Sequence, residues 1–159
     1  MEIKLYSKYA NYGVISYRII IGLILLKVDR IQNRTRVLGP GMRAVVWFHG
    51  CFRNCPGCIA AEMNRSSDFS EYTADALFQK IASIDEIEGI TISGGEPLMQ
   101  NLDDLQDFLL LVRQKTSLSV MLYTGYLLQE IKADEKKCRL LECVDILIDG
   151  PYMEQLDKG

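Results

Sequence analysis

Four short apolar runs separated by segments of helical period predict an α/β fold, a parallel sheet with its helices packed outside it. The runs are 44–48 (AVVWF), 89–93 (GITIS), 118–124 (LSVMLYT) and 144–149 (VDILID). Strand–helix alternation of this kind implies right-handed crossovers. Each unusual motif falls just after one of these runs, at the carboxyl ends of strands, where such folds carry their functional loops. With 159 residues, 48% of them hydrophobic, the chain is long enough to bury one domain core.

Residues 1 to 27 are rich in Tyr and Ile and carry no motif. The apolar run Ile19–Leu26, flanked by Arg18 and Lys27, is far shorter than the roughly 20 residues a bilayer requires. The following KVDRIQNR offers no small-residue cleavage site. A buried strand or short helix is therefore expected there, and a membrane is not expected as a partner. Gly39-Pro40-Gly41 makes 34–43 a loop before the strand at 44–48. Thr73 is a suitable N-cap for a helix that places Leu77 and Ile81 on one face. Gly94-Gly95 ends the second strand. Asn101 caps the next helix, with Asp103 and Asp104 suited to its first turn and Leu102, Leu105, Leu109 and Val112 at helical spacing. The third strand leads into one helix over 127–142 (LLQEIKADEKKCRLLE), and Gly150-Pro151 closes the fourth.

The net charge of −3 and pI near 5.2 argue against a nucleic-acid partner, which would call for a basic face. Three of the five cysteines, Cys51, Cys55 and Cys58, lie within HGCFRNCPGC (49–58). An odd, clustered set is not a secreted disulfide framework, and a reducing cytoplasm with the cluster serving a metal fits better. A structural zinc site takes four ligands, and His49, Cys138 or Cys143 could in principle supply the fourth. A four-iron cluster held by three thiolates instead leaves one iron open for chemistry, and that arithmetic favours a cluster. Pro56 and Gly57 let the loop turn tightly. His49, the one histidine, is expected to pack rather than ligate, so histidine acid–base catalysis has little to work with. Cys138 and Cys143 are expected to be buried structural thiols.

Cys-x3-Cys-x2-Cys after a first strand resembles the signature of the radical S-adenosylmethionine (SAM) superfamily. GCFRNCPGC, with Pro-Gly before the last cysteine, is similar to the activating proteins of anaerobic ribonucleotide reductases, relatives of the pyruvate formate-lyase activating enzymes. SGGEPLMQ (93–100), YTGY (123–126) and VDILIDGPY (144–152) follow in the order and spacing of that family, and the resemblance covers about 30 to 157. It implies a partial (β/α) barrel of the radical SAM type. Residues 1–27 would be an N-terminal extension and 28–159 the core domain. Relatives continue past the equivalent of Asp157 with a further strand, so the core would be truncated at its C-terminus.

The resemblance further implies that Cys51, Cys55 and Cys58 ligate a [4Fe-4S] cluster whose fourth iron is chelated by SAM. An electron from the cluster would cleave the sulfonium bond to give methionine and a 5′-deoxyadenosyl radical, which takes hydrogen from a glycine of a partner. Gly57, Cys58 and Ile59 would lie beside the adenine. Gly94 and Gly95, lacking Cβ atoms, would let carbonyls approach the methionine ammonium, Glu96 would add its carboxylate, and Pro97 would stiffen the turn. A bulky residue at 95 is thus expected to block SAM and spare the iron. The implied partners are a large glycyl radical enzyme, the anaerobic ribonucleotide reductase first, and a flavodoxin- or ferredoxin-type electron donor. Tyr123 to Tyr126 and Asp149 read more readily as packing residues and a helix cap or turn anchor than as catalytic groups. A radical SAM enzyme that modifies another protein or peptide, and a non-catalytic metal-binding domain, are the alternatives.

Overall fold

The computed structural model describes residues 25–64 and 67–156. Residues 1–24, which hold most of the expected N-terminal extension and most of the apolar run Ile19–Leu26, lie outside the described residues. Six strands, β1 (Leu26–Thr35), β2 (Arg43–Phe48), β3 (Ser70–Tyr72), β4 (Gly89–Gly94), β5 (Ser119–Tyr123) and β6 (Ile146–Ile148), form one sheet in the order β3-β1-β2-β4-β5-β6. Strands β2, β4, β5 and β6 are parallel and match the four predicted runs. Their order never reverses, so right-handed crossovers put every connecting helix on the same face.

The packing agrees. Ala44, Val46 and Phe48 of β2, Ile90 and Ile92 of β4, and Val120 and Leu122 of β5 share one buried cluster with four helices. These are α1 (Ala74–Ala82), α2 (Leu102–Lys115), α3 (Leu128–Ala133) and α4 (Glu135–Leu140), which contribute Leu77, Phe108, Ile131 and Leu140 among others. Each fully buried side chain of this kind stabilises the fold by roughly 1.5–3 kcal/mol. The predicted caps form: Thr73 Oγ1 accepts from the Ala76 N–H at 3.1 Å, and Asn101 Oδ1 accepts from the Asp104 N–H at 3.0 Å.

The alternate residues of β2, β4 and β5 face away from the helices. Over the amino-terminal half of that face the loop 36–42 folds down and is held by Arg43, which is 1% exposed. Its guanidinium donates to Thr91 Oγ1, Ser119 Oγ and the carbonyls of Pro40, Ile90 and Ser119, and Thr91 Oγ1 in turn donates to the Leu38 carbonyl. The carboxyl-terminal half is left uncovered by helices.

Two expectations are corrected. The sheet is mixed rather than wholly parallel, because β1 pairs antiparallel with both β2 and β3. Register irregularities between Val28 and Arg30 and between Gln32 and Thr35 interrupt the alternation that would have marked β1. The single helix over 127–142 is broken at Asp134, whose extended backbone (φ −109°, ψ 113°) ends α3 and whose carboxylate caps α4 by accepting from the N–H groups of Lys136 and Lys137. A side chain that offers the backbone alternative bonds favours a cap over a helix interior. Among the described residues no helix is long and apolar enough to cross a membrane.

Candidate functional site

At the carboxyl ends of β2, β4, β5 and β6 lies a cavity of about 730 Å³. Cys51, Cys55, Cys58 and Ile59 from the loop after β2 line it, with Gly94, Gly95 and Glu96 after β4 and Tyr123, Thr124 and Gly125 after β5. Asp149, Gly150 and the segment 151–153 complete the wall beyond β6. The three cysteines are free thiols of intermediate burial. Among the described residues no three His, Cys, Asp or Glu side chains surround a single ion position.

Gly94 and Gly95 are required by the chain itself. Gly94 sits at φ +111°, and a Cβ there would overlap the backbone of Phe48 and come within 2.9 Å of the Trp47 carbonyl carbon. A Cβ on Gly95 would overlap the carbonyl oxygen of Gly50 and lie 2.7 Å from its carbon. The Gly95 N–H donates to the Phe48 carbonyl at 2.7 Å, and the Glu96 N–H to the Gly50 carbonyl at 2.9 Å. The turn after β4 is thus pressed against the entry to the cysteine loop, one residue before Cys51.

Glu96 is 1% exposed. Its Oε1 accepts from the Leu98 N–H (3.0 Å) and the Thr124 hydroxyl (2.7 Å), and its Oε2 accepts from the Gly125 N–H (2.7 Å). The carboxylate therefore ties the turn after β4 to the loop after β5. It makes no ion pair among the described residues, and of about four acceptor positions on a carboxylate three are filled.

Sulfur contacts organise the cysteine loop. The Arg53 N–H donates to Cys51 Sγ and the Phe52 N–H to Met99 Sδ, both at 3.4 Å. The Cys58 N–H reaches the Cys55 carbonyl at 3.2 Å, closing the Pro56-Gly57 turn, where Gly57 has φ +67°. Burial pushes the Cys51 thiol up, and the Arg53 N–H opposes this. Burial is the larger influence on the Cys51 thiol; what suits a cluster is the donor type, three cysteine sulfurs from one loop on one cavity.

Other predicted residues take varied places. Gly57 and Pro97 do not line the cavity: the Glu154 side chain lies over Gly57, and Pro97 is buried at the start of a 3-10 turn, Pro97–Met99. His49 packs, stacked on Phe69 at 4.5 Å, with Nδ1 3.8 Å from Asp29. Asp149 Oδ2 accepts from the Leu128 N–H and so caps α3. Cys143 is buried, whereas Cys138 is only partly so. Arg30, Trp47, Arg53 and Met153 also line the cavity. Sequence reasoning passed over them, although Arg53 stands between two cysteines.

Residues 37–159 match the family described as a 4Fe-4S single cluster domain. The anaerobic ribonucleoside-triphosphate reductase-activating protein of Enterobacteria phage T4 is 30% identical over 135 residues, 82% of this chain and 84% of its own. The protein of the same name from Vibrio cholerae serotype O1 is 33% identical over 132 residues, 77% of this chain and 83% of its own. The one from Escherichia coli K12 is 29% identical over 126 residues, 76% and 80%. Among solved structures, QueE from Escherichia coli superposes with a TM-score of 0.49 at 14% identity, over 64% of this chain and 53% of that one. By the first two of these relatives and the cluster-domain match, the chain belongs to the anaerobic ribonucleoside-triphosphate reductase-activating protein family, with a 4Fe-4S single cluster domain over 37–159.

Proposed function

We propose that this chain is a radical SAM activating enzyme that generates a glycyl radical on an anaerobic ribonucleoside-triphosphate reductase. The observation that carries the reading is the meeting of the Cys51–Cys55–Cys58 loop, the Gly94–Gly95–Glu96 turn and the 123–125 loop on one cavity, in a chain of this family. In this reading Cys51, Cys55 and Cys58 hold a [4Fe-4S] cluster, and Gly94, Gly95 and Glu96 receive the methionine end of SAM, with Ile59 towards the adenine. The incomplete barrel typical of the superfamily fits a parallel run of strands with helices on one face only.

A [4Fe-4S] cluster held by Cys51, Cys55 and Cys58 would supply the single electron for reductive cleavage of SAM, with methionine as the leaving group and a hydrogen atom drawn from a partner glycine as the outcome. The chain's own part is binding, orientation and shielding. Glu96 offers a buried carboxylate with an acceptor position to spare, in a place where an ammonium group would supply its missing counter-charge. Gly94 and Gly95 bring the backbone to that point. The cavity is open towards solvent beside the cysteine loop, where Phe52 (86% exposed) and Ile59 (83% exposed) stand as apolar neighbours of the ligands. They suit a glycine loop of a large protein better than a small metabolite, and a flavodoxin or ferredoxin in the cytoplasm is the electron source we assign.

The test is anaerobic reconstitution with iron and sulfide, followed by SAM and reductant. About four irons per chain, 5′-deoxyadenosine, and a glycyl radical signal on the cognate reductase are expected. Stoichiometric zinc without sulfide would overturn the cluster. SAM cleavage with no radical on the reductase would turn the assignment to another protein or peptide substrate.

A further inference from the structure

Arg53 stands in the middle of Cys-x3-Cys, and its side chain is engaged on the opposite wall of the cavity. Its guanidinium lies 4.7 Å from the centre of the Tyr126 ring, which also bears Lys137 Nζ at 5.0 Å. Its Nη2 is 3.8 Å from Glu130 Oε2, and the side chain is 20% exposed. Gly125 leaves just enough room for it, since a Cβ there would come within 2.6 Å of Arg53 Cδ. Arg53 therefore straps the segment between Cys51 and Cys55 to the 123–126 loop, whose Gly125 N–H is already held by Glu96.

The charge balance of the cavity gives this strap a second consequence. Arg30 and Arg53 are the cations among its lining residues, and Arg30 lies over the Trp47 ring at 5.1 Å. Glu96 and Asp149 are the lining carboxylates. Reduction of a cluster adds one negative charge to such a site, and net charge together with hydrogen bonds to sulfur sets cluster potentials. We infer that Arg53 is a positioning residue that raises the reduction potential of the cluster by holding a guanidinium on the wall of the cavity that the three cysteines also line. The inference rests on the cluster reading above.

The experiment compares wild type, Arg53→Lys and Arg53→Met after anaerobic reconstitution, with iron and sulfide counted and the reduced cluster titrated potentiometrically by electron paramagnetic resonance. R53M is expected to keep its iron and to show, at the potential where wild type is half reduced, about a tenfold lower ratio of reduced to oxidised cluster, ~59 mV for a one-electron couple. R53K, with its charge kept and its planar seat lost, falls between the two. Tyr126→Leu keeps the guanidinium but removes the ring that seats it, so a smaller shift in the same direction is expected even if R53M loads poorly. Unchanged midpoints in R53M, or in Y126L where R53M cannot be titrated, overturn the inference. So does loss of iron with an unchanged midpoint in the clusters that remain, which marks a purely structural strap. Wild type that takes up no sulfide overturns the cluster reading and this inference together.

Discussion

Gly95→Ala separates two explanations for the Gly-Gly pair. Gly95 does not have a positive φ, so an alanine could adopt its backbone conformation, and only contact forbids it. The contact is backbone: the new Cβ would overlap the Gly50 carbonyl oxygen and sit 2.7 Å from its carbon and 3.0 Å from its nitrogen. No rotamer relieves that, so either the turn after β4 or the residue preceding Cys51 must move. Overpacking costs about 1–3 kcal/mol, and a clash between two backbones belongs at the upper end. About 3 kcal/mol in a chain of this size lowers Tm by ~6–12 °C. The assay is thermal unfolding of the cluster-free protein, followed by iron and sulfide counts after anaerobic reconstitution. Both Tm and iron content should fall, against the expectation from sequence that a substitution here spares the iron. Gly125→Ala is the control, because its Cβ would press on the flexible Arg53 side chain. It should keep its iron with a smaller loss of Tm. A G95A protein with unchanged Tm and full iron that no longer binds SAM would refute the argument.

Other perturbations test different parts of the frame. Arg43→Met removes all five guanidinium bonds and strands the second acceptor positions of the Ile90 and Ser119 carbonyls, so a loss on the order of 3 kcal/mol is expected in urea unfolding. Asp134 has its carboxyl held below the usual range by its hydrogen bond to the Lys137 side chain and then by the Lys137 N–H. Its support of α4 is therefore complete above the unfolded value of about 3.9 and is lost as pH falls through the lower folded value. Asp134→Asn keeps a cap but removes that dependence, which helical circular dichroism between pH 6 and pH 2 can follow. Cys143 is buried whereas Cys55 and Cys58 are partly exposed and Cys51 has its thiol pushed up by burial as Cys143 does, so iodoacetamide at neutral pH should alkylate Cys55 and Cys58 of the cluster-free protein first and reach Cys143 only in denaturant. Equal labelling under native conditions would count against the described packing.

The central parallel strands β2, β4 and β5 were legible because they carry runs of consecutive buried residues and read as continuous apolar stretches, as AVVWF does. The caps at Thr73 and Asn101 were legible because capping chemistry is local. The antiparallel strands were not. Strand β1 carries exposed polar residues between two irregularities, and β3 has three residues, too few for any period. In the site, cysteine spacing announced the loop, since a ligand set is a property of side-chain type and separation. The reason for Gly95 was hidden, because the carbonyl it must clear belongs to Gly50, 45 residues away in sequence. Arg53 was hidden likewise: a lone arginine in a loop is ordinary until Tyr126 and Glu130 are placed beside it.

The sheet buries one fully enclosed charge at each end, and the contrast between them explains where chemistry can occur. Arg43, at the amino ends of β2, β4 and β5, has five N–H groups and five acceptors, all from the chain. Nothing further can bind it. Glu96, past the carboxyl end of β4, is equally buried but receives three donors from the chain, none of them a cation. An enclosed carboxylate is costly to desolvate unless donors and charge offset it, and here the three donors do so, with the Arg53 side chain across Gly125. Here the turn is held in place by the Gly94–Gly95 approach to β2, so the charge cannot retreat to solvent. A ligand that brings an ammonium to the last acceptor position adds a charge-assisted hydrogen bond there, and that free energy is available to order the loops around it. Glu96→Gln should lower the stability of the ligand-free protein, because its NH2 group must face one of the donors that the carboxylate satisfies, and should weaken SAM binding by more than that loss, a pairing of effects that calorimetry on one variant can read. A glutamine variant that loses stability and affinity in equal measure would show that the carboxylate serves only as a brace between the loops after β4 and β5.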